Sequence, residues 1–250
     1  DAFRLTTDIV CSKINMRNRE AVPLSSSKLV AFIDVQQECL FYVVCAVDLD
    51  FSLHAVDYGT WPDQKRRVFT LRELPHTLSD MYPQLGREAR IHLALVKLCE
   101  ILLPKEWLRD DRTIMRIDRC LIDANWGQLT KTVYEFCRTC KWPSVIMPSH
   151  GKFIGASGVP MGNWKRKAGE AIGDNWIVAG ATKNRFLRHI VFDTNHWKSF
   201  LSARLMTSRG DPGCMTLFGS KPSDHHLLAE HCISEFAVKV EGKGRKVEEW

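Results

Sequence analysis

The sequence predicts an α/β fold built on one central mixed sheet, in which three antiparallel strands are followed by parallel strands and helices lie on the flanks. The first observation behind this prediction is a set of short runs rich in Val, Ile and Phe, typical of strands buried in a sheet. The second is a meander of three such runs early in the chain. The third is a later alternation of strand-like runs with segments of helical periodicity. A chain of 250 residues is long enough to bury the core of such a sheet.

The meander supplies the first three strands. Residues 29–35 are apolar except for Asp34, and a second run at 39–48 follows after a short polar interruption. Residues 51–58 then alternate apolar and polar side chains until Gly-Thr-Trp-Pro at 59–62 stops the run. We therefore expect an antiparallel unit that carries a carboxylate on its first strand.

A second strand is expected to end in a carboxylate. Strand remnants and a short helix are predicted for 66–82, and a helix for 87–103, which ends at Pro104. The chain then enters a buried run at 114–122 that leads directly into Asp123. A helix at 129–140 and a strand at 145–147 follow. Since a strand–helix–strand unit makes adjacent parallel strands, Asp123 is expected near the sheet centre.

The last third of the chain is expected to begin with a long surface loop or hairpin at 150–174, which is rich in Gly and Lys. Loops of this length are usually functional. The elements expected after it are strands at 175–179 and 188–193, a helix at 194–206 capped by Thr194 or Asn195, a turn and strand at 210–218, a helix at 223–235 capped by Ser223, and a hairpin arm from 236 onward.

Composition excludes several classes of protein. Hydrophobic content of 45% and charged content of 26% are those of an ordinary globular protein. The apolar runs are too short or too interrupted to span a bilayer, so no membrane segment is expected. Nine cysteines, mostly in apolar segments, indicate reduced thiols, and Cys137 and Cys140 are better explained by core packing than by zinc or redox chemistry.

The net charge of +6 is concentrated in clusters at 65–67, 165–167 and 243–246, as in proteins that bind a polyanion.

The two strand-end carboxylates indicate a metal site. If the strands of Asp34 and Asp123 are neighbours, their like charges repel unless a cation lies between them. Carboxylate oxygens favour Mg²⁺ or Mn²⁺, and two such ions can activate water to attack a phosphodiester. The chemistry needs a third carboxylate, for which Asp224 is our prediction, with the alternative that it only complements a helix dipole. Asp193, better explained as part of a helix cap, and His225 are the other candidate ligands.

Several motifs, in this order, resemble the nuclease domain of phage terminase large subunits of the lambda GpA type. They span most of residues 29–250 and are Ile33-Asp-Val-Gln36, Asp57-Tyr-Gly-Thr-Trp-Pro62, Leu121-Ile-Asp-Ala-Asn125 followed by Thr132-Val-Tyr-Glu-Phe-Cys-Arg138, Val191-Phe-Asp-Thr-Asn-His-Trp-Lys198, and Val247-Glu-Glu-Trp250. The resemblance implies an RNase H-like fold and a metal-dependent endonuclease that cuts concatemeric viral DNA during packaging. Asp34 and Asp123 correspond to the first two of the family's metal-binding acids, and Asp224 matches the third by its place at the late helix. Asp34 would be shared between two Mg²⁺ or Mn²⁺ ions.

The same resemblance implies the domain organisation and the partners. An ATPase motor normally precedes this nuclease, but no G-x-x-x-x-G-K-[ST] occurs in the chain, so residues 1–27 are expected to be a linker or docking arm from an upstream ATPase domain, and 28–250 the nuclease domain. Double-stranded DNA, a small terminase subunit and the portal are the implied partners, and the host-cell cytoplasm is the implied location. The family's Lys-Gly appears here as His150-Gly-Lys152, and we expect Lys152, Lys165, Arg166 and Lys167 to hold the DNA backbone.

Two other functions fit the same residues. A Holliday-junction resolvase or transposase-type nuclease would use the same acids and would prefer branched DNA. A DNA-binding or assembly domain without catalysis would have structural acids and would bind DNA without metal.

Overall fold

Nine strands of the described part of the chain form one mixed sheet in this structure, a computed structural model that describes residues 4–181 and 187–250. The strands of the chain are β1 (Ser26–Val35), β2 (Leu40–Asp48), β3 (Leu53–Trp61), β4 (Trp107–Leu108), β5 (Ile114–Met115), β6 (Arg119–Asp123), β7 (Ile146–Lys152), β8 (Ala171–Gly173), β9 (Trp176–Ala179), β10 (His189–Asp193), β11 (Met215–Leu217), β12 (Val238–Gly242) and β13 (Arg245–Glu249). The helices are α1 (Thr7–Cys11), α2 (Leu78–Met81), α3 (Arg87–Leu102), α4 (Thr130–Thr139), α5 (Thr194–Met206) and α6 (His226–Ile233).

The order of strands in the large sheet is β11-β3-β2-β1-β6-β7-β10-β9-β8. The antiparallel meander is confirmed, because β1 pairs with β2 and β2 with β3 in antiparallel register. Parallel strands follow, since β6 pairs with β1, β7 with β6 and β10 with β7 in parallel. The predicted α/β class with a central mixed sheet is therefore confirmed, and β6 is its fifth strand, at the centre.

The two sides of the sheet differ in how they are covered. On one side, Ile33 and Ile122 belong to the main core, which packs against the apolar faces of α3 and α4. We call the other side the site face, defined by the half-buried side chains of Phe32, Asp34 and Asp123. Near its β3 edge the site face meets a smaller core formed by residues of α1, α5, α6, β3 and β11. Side chains on the site face therefore remain accessible to solvent between these helices.

The structure corrects several predicted boundaries. The third strand continues to Trp61, because Gly59 and Thr60 still pair with β2. The run predicted at 114–122 is divided between β5, which pairs only with β4, and β6. Helix α5 spans Thr194–Met206 as predicted, but Asp193 is its N-cap, so the expectation that Thr194 or Asn195 caps the helix is wrong.

The segment predicted as a long loop contains more regular structure than its composition indicates. Strand β7 continues through Lys152, which therefore precedes the loop, and the loop is closed by the antiparallel hairpin of β8 and β9. The predicted helix at 223–235 is a 3₁₀ turn at Pro222–His225 followed by α6, and Ser223 makes no capping hydrogen bond. The closing hairpin is confirmed as β12 paired with β13.

Residues 4–27, predicted as a linker or docking arm, pack against the rest of the protein. Val10 of α1 is fully buried in the smaller core, and Val22 is fully buried in the main core. The relation of this arm to an upstream domain stays a prediction. None of the helices at 4–181 and 187–250 is long and apolar enough to cross a membrane.

The cysteines serve packing. All nine are free thiols. Cys137 is buried in the main core and Cys140 packs against it, so the core-packing explanation of this pair is confirmed.

Candidate active site

Asp34 and Asp123 end two neighbouring strands on the same face of the sheet. The parallel register of β1 and β6 ends with Ile33 opposite Ile122, and each aspartate is the next residue of its strand. Because alternate residues of a strand point to opposite faces, both carboxylates project to the side opposite these two isoleucines. The sequence-based expectation that these two acids meet is therefore supported by the register.

Few groups donate hydrogen bonds to the two carboxylates. Gln36 Nε2 donates to Asp34 Oδ2 at 2.7 Å, and the backbone N of Asn125 donates to Asp123 Oδ1 at 3.1 Å. The pKa of Asp123 is raised, chiefly because burial disfavours its charged form and further because the negative charge of Asp34 lies nearby. A cation between the two acids would relieve both effects.

Asn125 fixes the backbone that follows Asp123. Its Nδ2 donates to the carbonyl oxygen of Gly151 at 2.8 Å, and its Oδ1 lies 3.1 Å from Nδ1 of His150. A Cβ at position 151 would stand 2.6 Å from Cγ2 of Thr194, so only glycine fits there without a shift. The loop after the second acid is thereby attached to the neighbouring strand β7.

A cavity of about 750 Å³ opens on the site face beside Asp34. It lies between strands β1 to β3, helix α6 and the segment that follows β3. Its cationic lining residues are Arg19, Arg66 and Arg67, and aromatic rings of Phe41, Tyr58 and Phe69 line it as well. Cationic and aromatic side chains beside a pair of carboxylates are suited to a nucleic-acid strand, which offers phosphates and base faces.

Asp224, the predicted third acid, lines the same cavity as Asp34. Its Oδ1 lies 2.9 Å from Nη1 of Arg67, with which it forms an ion pair. Among residues 4–181 and 187–250, no three His, Cys, Asp or Glu side chains are grouped closely enough to hold one metal ion. Its role as the third ligand accordingly stays a prediction.

His225 is engaged in structural hydrogen bonds. Its Nε2 donates to the carbonyl oxygen of Phe218 at 2.7 Å, so its Nδ1 accepts from the hydroxyl of Tyr58 at 2.7 Å. The ring is almost fully buried, and burial lowers the pKa of His225. This neutral tautomer leaves neither nitrogen for a metal ion.

Asp193 also makes structural hydrogen bonds. Its Oδ1 accepts from the backbone N of Asn195 at 3.0 Å and of His196 at 3.4 Å, as an N-cap does. The sequence predicted that Asp193 is part of the cap of its own helix, and this prediction is confirmed.

The predicted DNA-binding residues of the basic loop lie apart from the cavity lining. Lys152, at the end of β7, places its Nζ 4.4 Å from the ring centroid of Trp164. Lys165, Arg166 and Lys167 are exposed. Glu170 orders this turn, because its carbonyl oxygen accepts from Nε of Arg166 and its carboxylate accepts from the backbone N of Lys167, both at 2.8 Å.

Sequence reasoning did not assign roles to several cavity residues, which include Arg66, Arg67, His231 and Glu235. The basic cluster at 65–67 was a usable signal for the two arginines. For His231 and Glu235 the sequence carries no comparable signal, because α6 ends at Ile233 and Glu235 follows the helix.

Comparison with protein-family models matches residues 3–250 to the endonuclease domain of the terminase large subunit gpA. No curated protein and no solved structure matches the chain at a significant level.

Proposed function

The chain belongs to the family of gpA terminase large subunit endonuclease domains, and from this premise we propose that it is a metal-dependent DNA endonuclease that cuts concatemeric viral DNA during genome packaging. The family supports a nuclease role in phage packaging. The observation that carries the metal dependence is the pairing of Asp34 and Asp123 at the ends of adjacent parallel strands on one face.

The donor set at this pair fits Mg²⁺ or Mn²⁺. Both groups are carboxylates, Asp34 lines the cavity and Asp123 ends the adjacent strand, and the pKa of Asp123 is raised by burial and further by the nearby charge of Asp34. Two such ions, when bound, supply the positive charge that activates a water molecule and stabilises the leaving oxygen of a phosphodiester. Asp34 would be shared between the ions and Asp123 would hold one of them, with a third acid completing the site. The resemblance assigns that third position to Asp224.

The DNA backbone would be held by two groups of cations. Lys152, Lys165, Arg166 and Lys167 form the first, because they are exposed on or beside the loop after β7. Arg66 and Arg67 form the second, because they line the cavity that reaches Asp34. Contacts of this kind position the strand and carry no sequence information, so cut-site choice would come from partners.

The resemblance to this family implies a wider organisation, which we also propose. The sheet, three antiparallel strands followed by parallel ones, is compatible with the RNase H-like fold. Residues 28–250 would be the nuclease domain and residues 1–27 an arm from an upstream ATPase motor. A small terminase subunit and the portal would be the protein partners, in the host-cell cytoplasm.

The test is cleavage of supercoiled plasmid by the purified chain in Mn²⁺, Mg²⁺ or EDTA, with Asp34→Asn beside the wild type. We expect nicking or linearisation that needs metal and falls at least about 100-fold in the variant, since loss of a ligand removes several kcal/mol of charge stabilisation. Glu230→Gln is the control, because Glu230 is exposed on α6 and pairs only locally, with His226 at 3.1 Å.

Other outcomes favour other functions. Stronger cleavage of four-way junctions than of linear duplex would favour a resolvase or transposase-type nuclease. DNA binding that is independent of metal, with no cleavage and no thermal stabilisation by Mn²⁺ or Mg²⁺, would favour a non-catalytic DNA-binding or assembly domain and would contradict the nuclease proposal.

A further inference from the structure

Asn125 and His150 are joined by a hydrogen bond whose direction is decided by a neighbouring carbonyl group. The carbonyl oxygen of Gly151 can only accept, so the Asn125 atom that lies 2.8 Å from it is the donor Nδ2. The other amide atom, Oδ1, then faces Nδ1 of His150 at 3.1 Å. Because an amide oxygen is an acceptor, Nδ1 of His150 carries a proton and donates it to this bond.

Tyr134 contacts the second nitrogen of the same imidazole ring. Its hydroxyl lies 2.9 Å from Nε2 of His150. When the neutral ring carries its proton on Nδ1, Nε2 has a lone pair, and the hydroxyl of Tyr134 donates to it. Both side chains are almost fully buried, Tyr134 on α4 and His150 on β7. A directed chain of hydrogen bonds therefore runs from α4 through β7 to the loop after β6.

This chain of hydrogen bonds ends at the second acid of the candidate site. The backbone N of Asn125 donates to Oδ1 of Asp123 at 3.1 Å, so the place of the Asn125 backbone sets the orientation of that carboxylate. The side chain of Asn125 holds this backbone against β7 through its bonds to His150 and Gly151. Resting on the proposed function, we propose that His150 and Tyr134 are positioning residues that orient the carboxylate of Asp123 for the metal ion.

Packing alone does not explain a histidine at this place. A buried imidazole ring costs free energy that an apolar ring would not, unless its nitrogens are hydrogen-bonded. Both nitrogens of His150 are bonded, and one of these bonds reaches Asn125, a residue that is otherwise exposed. A side chain that only filled the core would need no bond to an exposed residue two positions after Asp123. The arrangement instead links the buried interior to the loop that bears on the acid.

The experiment measures Mn²⁺ affinity by calorimetry without DNA, and the Mn²⁺ concentration that half-saturates plasmid cleavage. Asn125→Ala and His150→Gln should each weaken Mn²⁺ binding at least about tenfold, as loss of groups that orient metal ligands commonly does. Tyr134→Phe should weaken it about threefold, because one hydrogen bond is lost and the ring is no longer held in one tautomer. The rate at saturating Mn²⁺ should change less than the half-saturating concentration.

Two further variants separate positioning from a general loss of stability. His150→Asn should keep Mn²⁺ affinity within about threefold of the wild type, because an amide nitrogen close to the place of Nδ1 can still donate to Asn125. His150→Gln should have no further effect on the affinity of the Asn125→Ala protein, because His150 acts through that side chain. Asn125 is exposed, so Asn125→Ala is expected to fold. Additive losses in the double variant would overturn the proposed role.

Thr216→Val is the matched control. It removes a buried hydroxyl that lies 2.7 Å from Nδ1 of His54, on β11 at the far edge of the sheet. We expect Thr216→Val to lower Tm and to leave Mn²⁺ affinity unchanged. If Thr216→Val and His150→Gln weakened Mn²⁺ binding equally, the loss would follow from stability alone and the positioning role would be wrong.

The results also distinguish the positioning role from the proposed function. If Asp34→Asn loses Mn²⁺ binding while Asn125→Ala and His150→Gln keep it, the nuclease proposal stands and the positioning role is wrong. If the wild type neither binds Mn²⁺ nor cleaves DNA, both proposals fail.

Discussion

Asp34 and Asp123 project from adjacent parallel strands to the same side of the sheet, one residue beyond the Ile33 and Ile122 pair. The main core fills the opposite side beneath them with apolar side chains. Two carboxylates are in this way fixed beside each other by backbone pairing alone. Burial raises the pKa of Asp123, and the nearby negative charge of Asp34 raises it further.

The first prediction concerns the stability of the metal-free protein. Because the folded-state pKa of Asp123 is raised, the native state favours the protonated acid, and stability falls as pH rises from the unfolded pKa through the folded one. In EDTA at pH 7.5, Asp123→Asn should therefore raise Tm by about 1 to 4 °C. The same variant should lose the stabilisation by Mn²⁺. Thermal melting from pH 4 to pH 8 checks both, and a lower Tm for the variant in EDTA would contradict the proposed electrostatic cost.

The second prediction concerns the basic loop. Replacing Lys165, Arg166 and Lys167 together by Ala should weaken binding to all duplexes alike, because phosphate contacts do not depend on sequence. Each lost contact lowers the slope of log K against log salt by about 0.9. Binding titrations from 50 to 200 mM salt measure that slope, and Lys97→Ala with Lys141→Ala is a control, because these exposed lysines lie outside the basic clusters and pair with Glu100. An unchanged slope would remove the loop from the DNA-binding surface.

The third prediction concerns the cations of the cavity. Arg66→Ala with Arg67→Ala should reduce cleavage more than overall binding, because these residues lie in the cavity that reaches Asp34. Poor positioning of the strand should lower the rate under saturating DNA by about 10-fold to 100-fold. Single-turnover cleavage at saturating protein provides the measurement. A variant that cleaves like the wild type once saturated would show that the strand takes another path.

The fourth prediction concerns His225 as a structural residue. His225→Phe leaves the hydroxyl of Tyr58 and the carbonyl of Phe218 without their partner, which should cost about 2 to 4 kcal/mol and lower Tm by about 5 to 15 °C. Binding of Mn²⁺ should remain. Loss of Mn²⁺ binding in a folded His225→Phe protein would instead indicate a ligand.

His225 also predicts a pH effect. Its pKa is lowered by burial, so protonation favours the unfolded chain, and stability should fall as pH decreases through the ordinary histidine pKa of about 6.5. That part of the decrease should be absent from His225→Phe. Denaturant unfolding of both proteins at pH 5.5 and pH 7.5 gives the comparison.

Local patterns were sufficient for much of the fold. The meander, the crossover helix α3 and the strand that ends at Asp123 were all predicted from apolar runs and periodicity. This is possible because an element that buries one face or both has a regular pattern of apolar residues in its sequence. The family resemblance likewise agrees with the family found over residues 3–250. Boundaries failed where pairing extended a strand past turn residues, as at Gly59 and Thr60.

The sequence by itself determined that two buried strands end in carboxylates, because the order of residues alone shows a charged residue at the end of an apolar run. Tertiary structure decided that the strands are neighbours in a register that directs Asp34 and Asp123 to one face, since register depends on pairing between segments far apart in the chain. It also decided that α6 packs against α1 and the β3 edge, since that contact joins segments far apart in the chain and no local pattern predicts it.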